Sequence, residues 1–417
     1  MIYSQHNLRF HILFVFTLIL HILSLFFNIN EISIHYKEAL GFFYSDEFIY
    51  RLARVSYETL GHNDFALRAP FVFVHICNIL LLYAICLNYF KRASDGYLCV
   101  LVYMLLPGIV FSSILISKTN IIIFLALICI YWQKRFSRNP YFTPAFSVFL
   151  DPSFSILYLG MFFYALRNKD TTYLFFTLLC FGINMSFFGI DVSGHPQSHF
   201  IDTLGGLMFL FSPLLLVYYI YTLIASVRKH NEFMSYISLS ALIFVTILSL
   251  RQKVDLQTLV PLSVIALPVV IKHFLSDIRI RLKMFAKPYV MRLNLILLFM
   301  FLQSLGLYFN KFFYLFSTQS HFAHSYYYGK EIANALKSKG IESIQAEDKK
   351  LELQLRFYGI DSTANTILRK TQDTQQSDIS VEYLWKIIAR YKITPIAPTQ
   401  TTIKPAKKQK IFIKKKQ

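Results

Sequence analysis

The chain has no Walker-type phosphate loop, no GxGxxG fingerprint, no HExxH helix and no GxSxG elbow. Nucleotide, nicotinamide and hydrolase chemistry therefore have no basis in its motifs. Cysteine is scarce: Cys77, Cys86, Cys99, Cys129 and Cys180 all lie in apolar runs, and none forms a CxxC pair. That pattern excludes a disulfide framework and a zinc knuckle, leaving small packing residues. Acidic residues are also few, 23 against 42 Lys and Arg, for a net charge of +19. Such a surplus can mark a nucleic-acid binder. Here the bases sit in short clusters between apolar runs and in one tail, as topology determinants do, so no nucleic-acid partner is expected.

What is abundant is apolar surface. Hydrophobic residues make up 55% of the 417 residues, aromatics 17%, and mean hydropathy is +0.47. A helix crosses the hydrocarbon core with about 20 residues. The runs 8–29, 69–90, 96–116, 120–132, 171–189, 203–226, 235–250, 258–275 and 293–309 read as spans of an all-α polytopic membrane protein. The first, from Leu8 to Phe27, lacks a small-residue cleavage site and reads as a retained span.

Five basic clusters orient the chain: Lys91-Arg92, Lys134-Arg135 with Arg138, Arg167 with Lys169, Arg228-Lys229, and Arg279 through Arg292. All five fall on the inner side only if the stretch 142–166 enters and leaves at one face. Asp151-Pro152 suits the apex of such a re-entrant or paired short-helix element, because proline breaks a helix and aspartate needs polar company. Its aspartate reads as structural and nearer the inner side. The outer face then receives the 30–68 loop, the Ser117–Asn120 turn, the 190–202 loop, the Arg251–Asp255 turn and everything from 310 onward.

Residues 310–394 read as a small external α/β domain. A helix over Ser325–Lys339 should stop at Gly340, a strand should use the alternation Leu351, Leu353, Leu355, Phe357, and 378–391 suits an amphipathic helix. Residues 395–417 form a Lys-rich tail, expected to be disordered and drawn to anionic membrane lipids.

The first outer loop carries adjacent carboxylates, Asp46 and Glu47, before an amphipathic stretch with Phe48, Leu52 and Val55 on one side and Arg51, Arg54 and Glu58 on others. One reading is an interfacial helix capped by Ser45 and favoured by the acids at its positive end. The other is chemistry at the membrane surface. The loop closes with Leu67-Arg68-Ala69-Pro70, at the mouth of the second span.

An Asp-Glu pair after the first span, an amphipathic helix, then Leu-Arg-x-Pro resembles the GT-C-type glycosyltransferases. The likeness is to the branch holding protein O-mannosyltransferases and lipid A aminoarabinose transferases (glycosyltransferase family 39-like), and covers chiefly the first four spans. It implies a GT-C-like core over 1–309, with Asp46 as catalytic carboxylate and Glu47 as its supporting acid. It also implies a polyprenyl-phosphate sugar donor and a lipid, glycan or protein acceptor, taken on the periplasmic face of a bacterial inner membrane. The external domain would help form the acceptor side. A carboxylate serves as base toward the acceptor hydroxyl, while cations neutralise the leaving phosphate. Arg68, Arg251 and Lys253 are the outer-face cations expected in that role, with pairing to lipid headgroups as the alternative. Asn120 stands where relatives carry a second acidic residue. In the 190–202 loop, His195 and His199 with Asp191 or Asp202 form a candidate site for a divalent metal, although Pro196 opposes a regular helix through both imidazoles. Two rivals remain: a transporter or flippase of lipid-linked sugars, and a non-catalytic relative.

Overall fold

The computed structural model describes residues 2–189, 199–309, 311, 314, 326–363, 366–371, 377–383 and 385–395. Two compact units emerge: Met1–Ser33 with Leu40–Phe312, and Ile34–Ala39 with Phe313–Gln417.

The first unit is helical. It comprises α1 (Ile2–Glu31), α2 (Tyr36–Tyr44, shared with the second unit), α3 (Phe48–Leu60), α4 (Asp64–Tyr89), α5 (Ala93–Leu105), α6 (Pro107–Ser113), α7 (Thr119–Phe136), α8 (Phe142–Ser147) and α9 (Phe154–Asn168). It continues through α10 (Thr171–Phe188), α11 (His199–Phe211), α12 (Pro213–Lys229), α13 (Phe233–Ser249), α14 (Leu256–Leu259), α15 (Leu267–Ile280) and α16 (Lys283–Tyr308). Among the described residues six helices are long and apolar enough to cross a membrane, and eight spans result if each of two bent pairs counts as one. This is a multi-pass membrane protein.

The bent pairs correct two expected straight spans. The run 96–116 breaks between α5 and α6 by 63°, and the run 203–226 breaks between α11 and α12 by 97°. Pro107 and Pro213 each open the second helix of their pair, since proline has no N–H for the preceding turn and forces the residue before it out of the helix. Ser212, before Pro213, takes a left-handed φ of 72°.

The basic clusters gather at one end of this unit. Lys134 pairs with Glu232 at 2.7 Å, Arg279 grips Asp95 through two nitrogens at 2.5 and 2.6 Å, and Asn231 meets Asn168. Helices α8 and α9 leave this end and return to it. Asn139, before α8, donates to Asp170, after α9, at 2.7 Å, while their apex at Asp151 lies at the opposite end against Lys118. Buried Asn184 of α10 holds that apex by donating to the carbonyls of Val148 and Asp151. All five cysteines are free thiols, four of them buried.

Helix α9 lies close against α13 at Gly160. A Cβ there would stand 2.6 Å from Ile237 Cα, closer than real Cβ atoms approach backbone. The absent side chain thus sets the distance between the two helices, as small residues do in membrane bundles.

The second unit holds a four-stranded sheet of order β1-β2-β4-β3, with β1 (Gln345–Ala346), β2 (Thr366–Thr371), β3 (Ile379–Tyr383) and β4 (Lys386–Pro395). The β1–β2 pair is parallel and the others antiparallel. A helix over Tyr328–Ser338 ends as expected at Gly340, which adopts φ +72°. Two expectations are reversed. The stretch 351–357 is helical within Lys349–Phe357, capped by the Asp348 side chain, and buries Leu351, Gln354 and Leu355 at helical spacing. Its Leu, Glu, Gln, Lys and Arg content favours helix, which the period-two reading of four apolar residues overlooked. Conversely 378–391 forms strands, because Ile379, Val381 and Tyr383 alternate inward with exposed residues. The domain boundary also moves: Ile34–Ala39, expected in the outer loop, belongs to this unit. The Ile34 N–H donates to the Tyr358 hydroxyl at 2.9 Å, and Gln354 donates to the Ile34 carbonyl. The tail from 396 lies outside the described residues.

His35 stacks on Tyr326 at 4.5 Å. Burial first, then the charges of Lys37 and Lys350, lower its pKa to about 4.

Two outcomes are expected. Gly160→Val should cost about 1–3 kcal/mol by overpacking α9 against α13, whereas Gly182→Ala, with nothing within 4 Å of the new Cβ, should leave the melting temperature unchanged or slightly raised. The pH dependence follows from His35, which the folded state keeps neutral above about pH 4 while the unfolded chain protonates near 6.5. The unfolded state binds the extra proton in that window, so stability should fall as pH drops from about 6.5 to 4. His35→Phe should flatten this part of a stability–pH curve, read by thermal melts.

Candidate active site

At the end of the first unit opposite the basic clusters, three segments meet at one ammonium group. Lys118, just before α7, places its Nζ 2.9 Å from Glu47 Oε2 and 3.1 Å from Asp151 Oδ2. Glu47 comes from the α2–α3 link and Asp151 from the α8–α9 apex. Asp151 is nearly enclosed, and its other oxygen accepts from the Ser153 N–H and hydroxyl. Burial alone would lower the pKa of Lys118. The charges of Asp151 and Glu47, with hydrogen bonds to both, outweigh burial and raise it, so the ammonium stays charged.

This geometry corrects the expected place of Asp151, which stands beside Glu47, not toward the basic end. It also bears on helix capping. Glu47 occupies the N-cap of α3 but makes no side-chain cap, its carboxylate being turned to Lys118. Ser45 instead accepts from the Glu47 N–H through its hydroxyl. Asp46 is exposed and has no hydrogen bond or ion pair among the described residues.

The loop that presents Asp46 is held from both sides. Arg54 of α3 reaches back to donate to the Phe42 and Ser45 carbonyls at 3.3 and 2.8 Å. Gly41 of α2 leaves room for the Tyr50 ring, which would lie 2.0 Å from a Cβ at that position. Helix α3 buries Ile49, Ala53 and Ser56, and the Ser56 hydroxyl donates to the Ala66 carbonyl at 2.6 Å. Phe48 and Val55 remain exposed on another face, as an interfacial helix would have them.

Two pockets flank this point. One of about 300 Å³ has Glu47, Lys118 and Asp151 at its polar edge and Phe48, Ile122 and Phe188 among its apolar walls. The second, about 240 Å³, is walled by α6, α11 and the 256–264 segment, with Thr119 on its rim. Thr119 donates to the Gln257 carbonyl at 2.9 Å, tying the start of α7 to the segment after the Arg251–Asp255 turn. Arg251 and Lys253 are exposed in that turn.

Arg68 does not belong to this group, which corrects its expected phosphate-binding role. It is completely buried, and its guanidinium donates to the carbonyls of Ile29, Ile32 and Ser33 at 3.4, 2.9 and 3.2 Å. These are carbonyls of the last turn of α1 and of the chain just beyond it, where a cation complements the helix dipole. Asn120 likewise faces inward, fully buried, donating to the Ser112 carbonyl. His199 starts α11 and His195 lies outside the described residues; among the described residues no three His, Cys, Asp or Glu side chains stand together as a metal site. Lys118, Asp151 and Arg54 were not among the site residues expected from the sequence. The available signal was a lone lysine and a lone aspartate among apolar runs, since such charges in a membrane protein tend to pair.

Breaking this bridge should have unequal effects. Lys118→Met leaves the Asp151 charge nearly enclosed without its cation and should cost about 2–4 kcal/mol, below the full buried-pair figure because Lys118 is a quarter exposed. Glu47→Gln, at a half-exposed carboxylate, should cost about 0–1 kcal/mol. Lys118→Met with Asp151→Asn should recover much of the loss, all three read by thermal unfolding in detergent.

No protein-family model matches the chain, and comparisons with curated proteins and with solved structures returned no match.

Proposed function

We propose that the chain is a GT-C-type glycosyltransferase that moves a sugar from a polyprenyl-phosphate donor to a hydroxyl acceptor at a membrane surface. The observation that carries this reading is the placement of Asp46. It is an exposed carboxylate without a partner among the described residues, and its chain neighbour Glu47 meets the Lys118 ammonium at the polar edge of a pocket whose other walls are mainly apolar. A lipid-linked sugar needs that combination, a polar headgroup site opening onto an apolar slot. Asp46 acts as base toward, or orients, the acceptor hydroxyl. Lys118, Arg251 and Lys253 neutralise the departing phosphate. Glu47 and Asp151 hold Lys118 in place. The pair α8–α9 serves as a re-entrant element, and the site faces the periplasm of a bacterial inner membrane. Asn120 does not line the pocket beside Glu47, so its replacement of an acidic residue removes no group from that pocket.

A second reading, movement of a lipid-linked sugar across the membrane, is favoured by the buried polar side chains His21, His75 and Asn78 inside the helices.

The test compares wild type with Asp46→Asn in nanodiscs carrying a polyprenyl-phosphate-sugar pool, following donor and glycosylated product by mass spectrometry. Turnover by wild type, reduced about 10²–10⁴-fold in the variant, is expected. No turnover by either protein while wild type binds the lipid would overturn the transferase and favour the carrier.

A further inference from the structure

At the basic end of the first unit, a groove of about 730 Å³ runs between α9 and α13. Asn168, the last residue of α9, bonds Asn231, just before α13, so one helix ends where the other begins. Phe163, Leu166, Ile243 and Ile247 line the groove and are exposed, so it opens outward to hydrocarbon and not into the bundle.

From the basic end inward, the lining changes character in three steps. Arg167 in the last turn of α9 and Lys169 at its cap carry two positive charges. Tyr236 and Ser240, one turn apart near the start of α13, carry two hydroxyls. Deeper still, Ile243, Phe244 and Ile247 of α13 are apolar. Other cations at this end are already matched, Lys134 by Glu232 and Arg279 by Asp95. The side chains of Arg167 and Lys169 have no hydrogen bond or ion pair among the described residues, and no carboxylate lines the groove.

The order charge, hydroxyl, hydrocarbon is that of the phosphate, glycerol esters and acyl chains of a phospholipid. The depth agrees as well. From Tyr236 to Ile247, α13 rises about 16 Å, close to half of a hydrocarbon core about 30 Å thick. Two cations without an acid select a headgroup of net negative charge. A zwitterionic headgroup would bring its own ammonium up to Arg167 and Lys169, where like charges repel.

We propose that this groove binds one anionic diacyl phospholipid from the leaflet at the basic end, its phosphate held by Arg167 and Lys169. The guanidinium fork matches two phosphate oxygens, and the lysine stem lies along the apolar wall with its ammonium at the headgroup. Tyr236 and Ser240 donate to the ester oxygens, and an acyl chain fills the groove beyond them. The positive-inside pattern assigns this end to the cytoplasm, whose leaflet carries anionic lipid. So placed, the lipid braces α9, which returns from the Asp151 apex, against α13. The site lies at the end away from Asp46 and does not depend on the reaction performed there.

The test places the full-length protein in nanodiscs of mixed phosphatidylglycerol and phosphatidylcholine, transfers it to detergent, and identifies the retained lipid by native mass spectrometry. Wild type should keep about one phosphatidylglycerol and prefer it over phosphatidylcholine by about five-fold or more. Arg167→Gln with Lys169→Gln should abolish that preference. Lys91→Gln with Arg92→Gln removes the same charge from exposed positions outside the groove and should preserve it. Ile243→Trp, at a half-exposed position on the groove wall, should reduce retention of both lipids. Equal retention of the two lipids by wild type, or equal loss of preference in both charge variants, would overturn the proposal. A dimer carrying no lipid would also overturn it, making a second copy of the chain the occupant.

Discussion

One lysine joins three parts of the first unit that lie far apart in the sequence. Lys118 links the α2–α3 segment through Glu47, the α8–α9 apex through Asp151, and its own helix α7. An ammonium in so apolar a setting is costly to desolvate, and the two carboxylates with the Ser153 donors offset that cost. Because its partners come from segments distant in sequence, the contact sets where the loop carrying Asp46 sits. The flanking pocket owes its polar edge to the same three side chains.

Two arginines of the same region, Arg54 and Arg68, serve the backbone. Arg68 completes the carbonyls at the end of α1, and Arg54 completes those that precede Asp46. Carbonyls at helix ends have no partner within the helix, and a guanidinium with five donors can close several at once. Lys118 instead meets two carboxylates, while Arg251 and Lys253 stay exposed on their turn.

Proline and glycine shape the rest. Pro107 and Pro213 bend two apolar runs, and the second pocket opens between the pieces, walled by α6 on one side and α11 on the other. Gly160 lets α9 close on α13, which steadies the return limb of the pair bearing Asp151.

Membrane class, the position of most apolar helices and the exposed acidic pair were legible in the sequence, because each depends on composition within about 20 consecutive residues. So was the common end shared by the basic clusters, since one turn-back at Asp151-Pro152 accounts for all of them. The partners of Lys118, the burial of Arg68 and the inward aim of Asn120 were decided only by tertiary structure. Each depends on residues tens of positions apart, and a charged side chain at the mouth of a span looks the same in sequence whether it meets water, a phosphate or a carbonyl. The second unit shows the limit at short range. Four alternating apolar residues at 351–357 fit a strand, yet the Asp348 cap and the burial of Gln354 made them a helix. The sequence carried the charges and the apolar lengths; packing chose which charges would face each other.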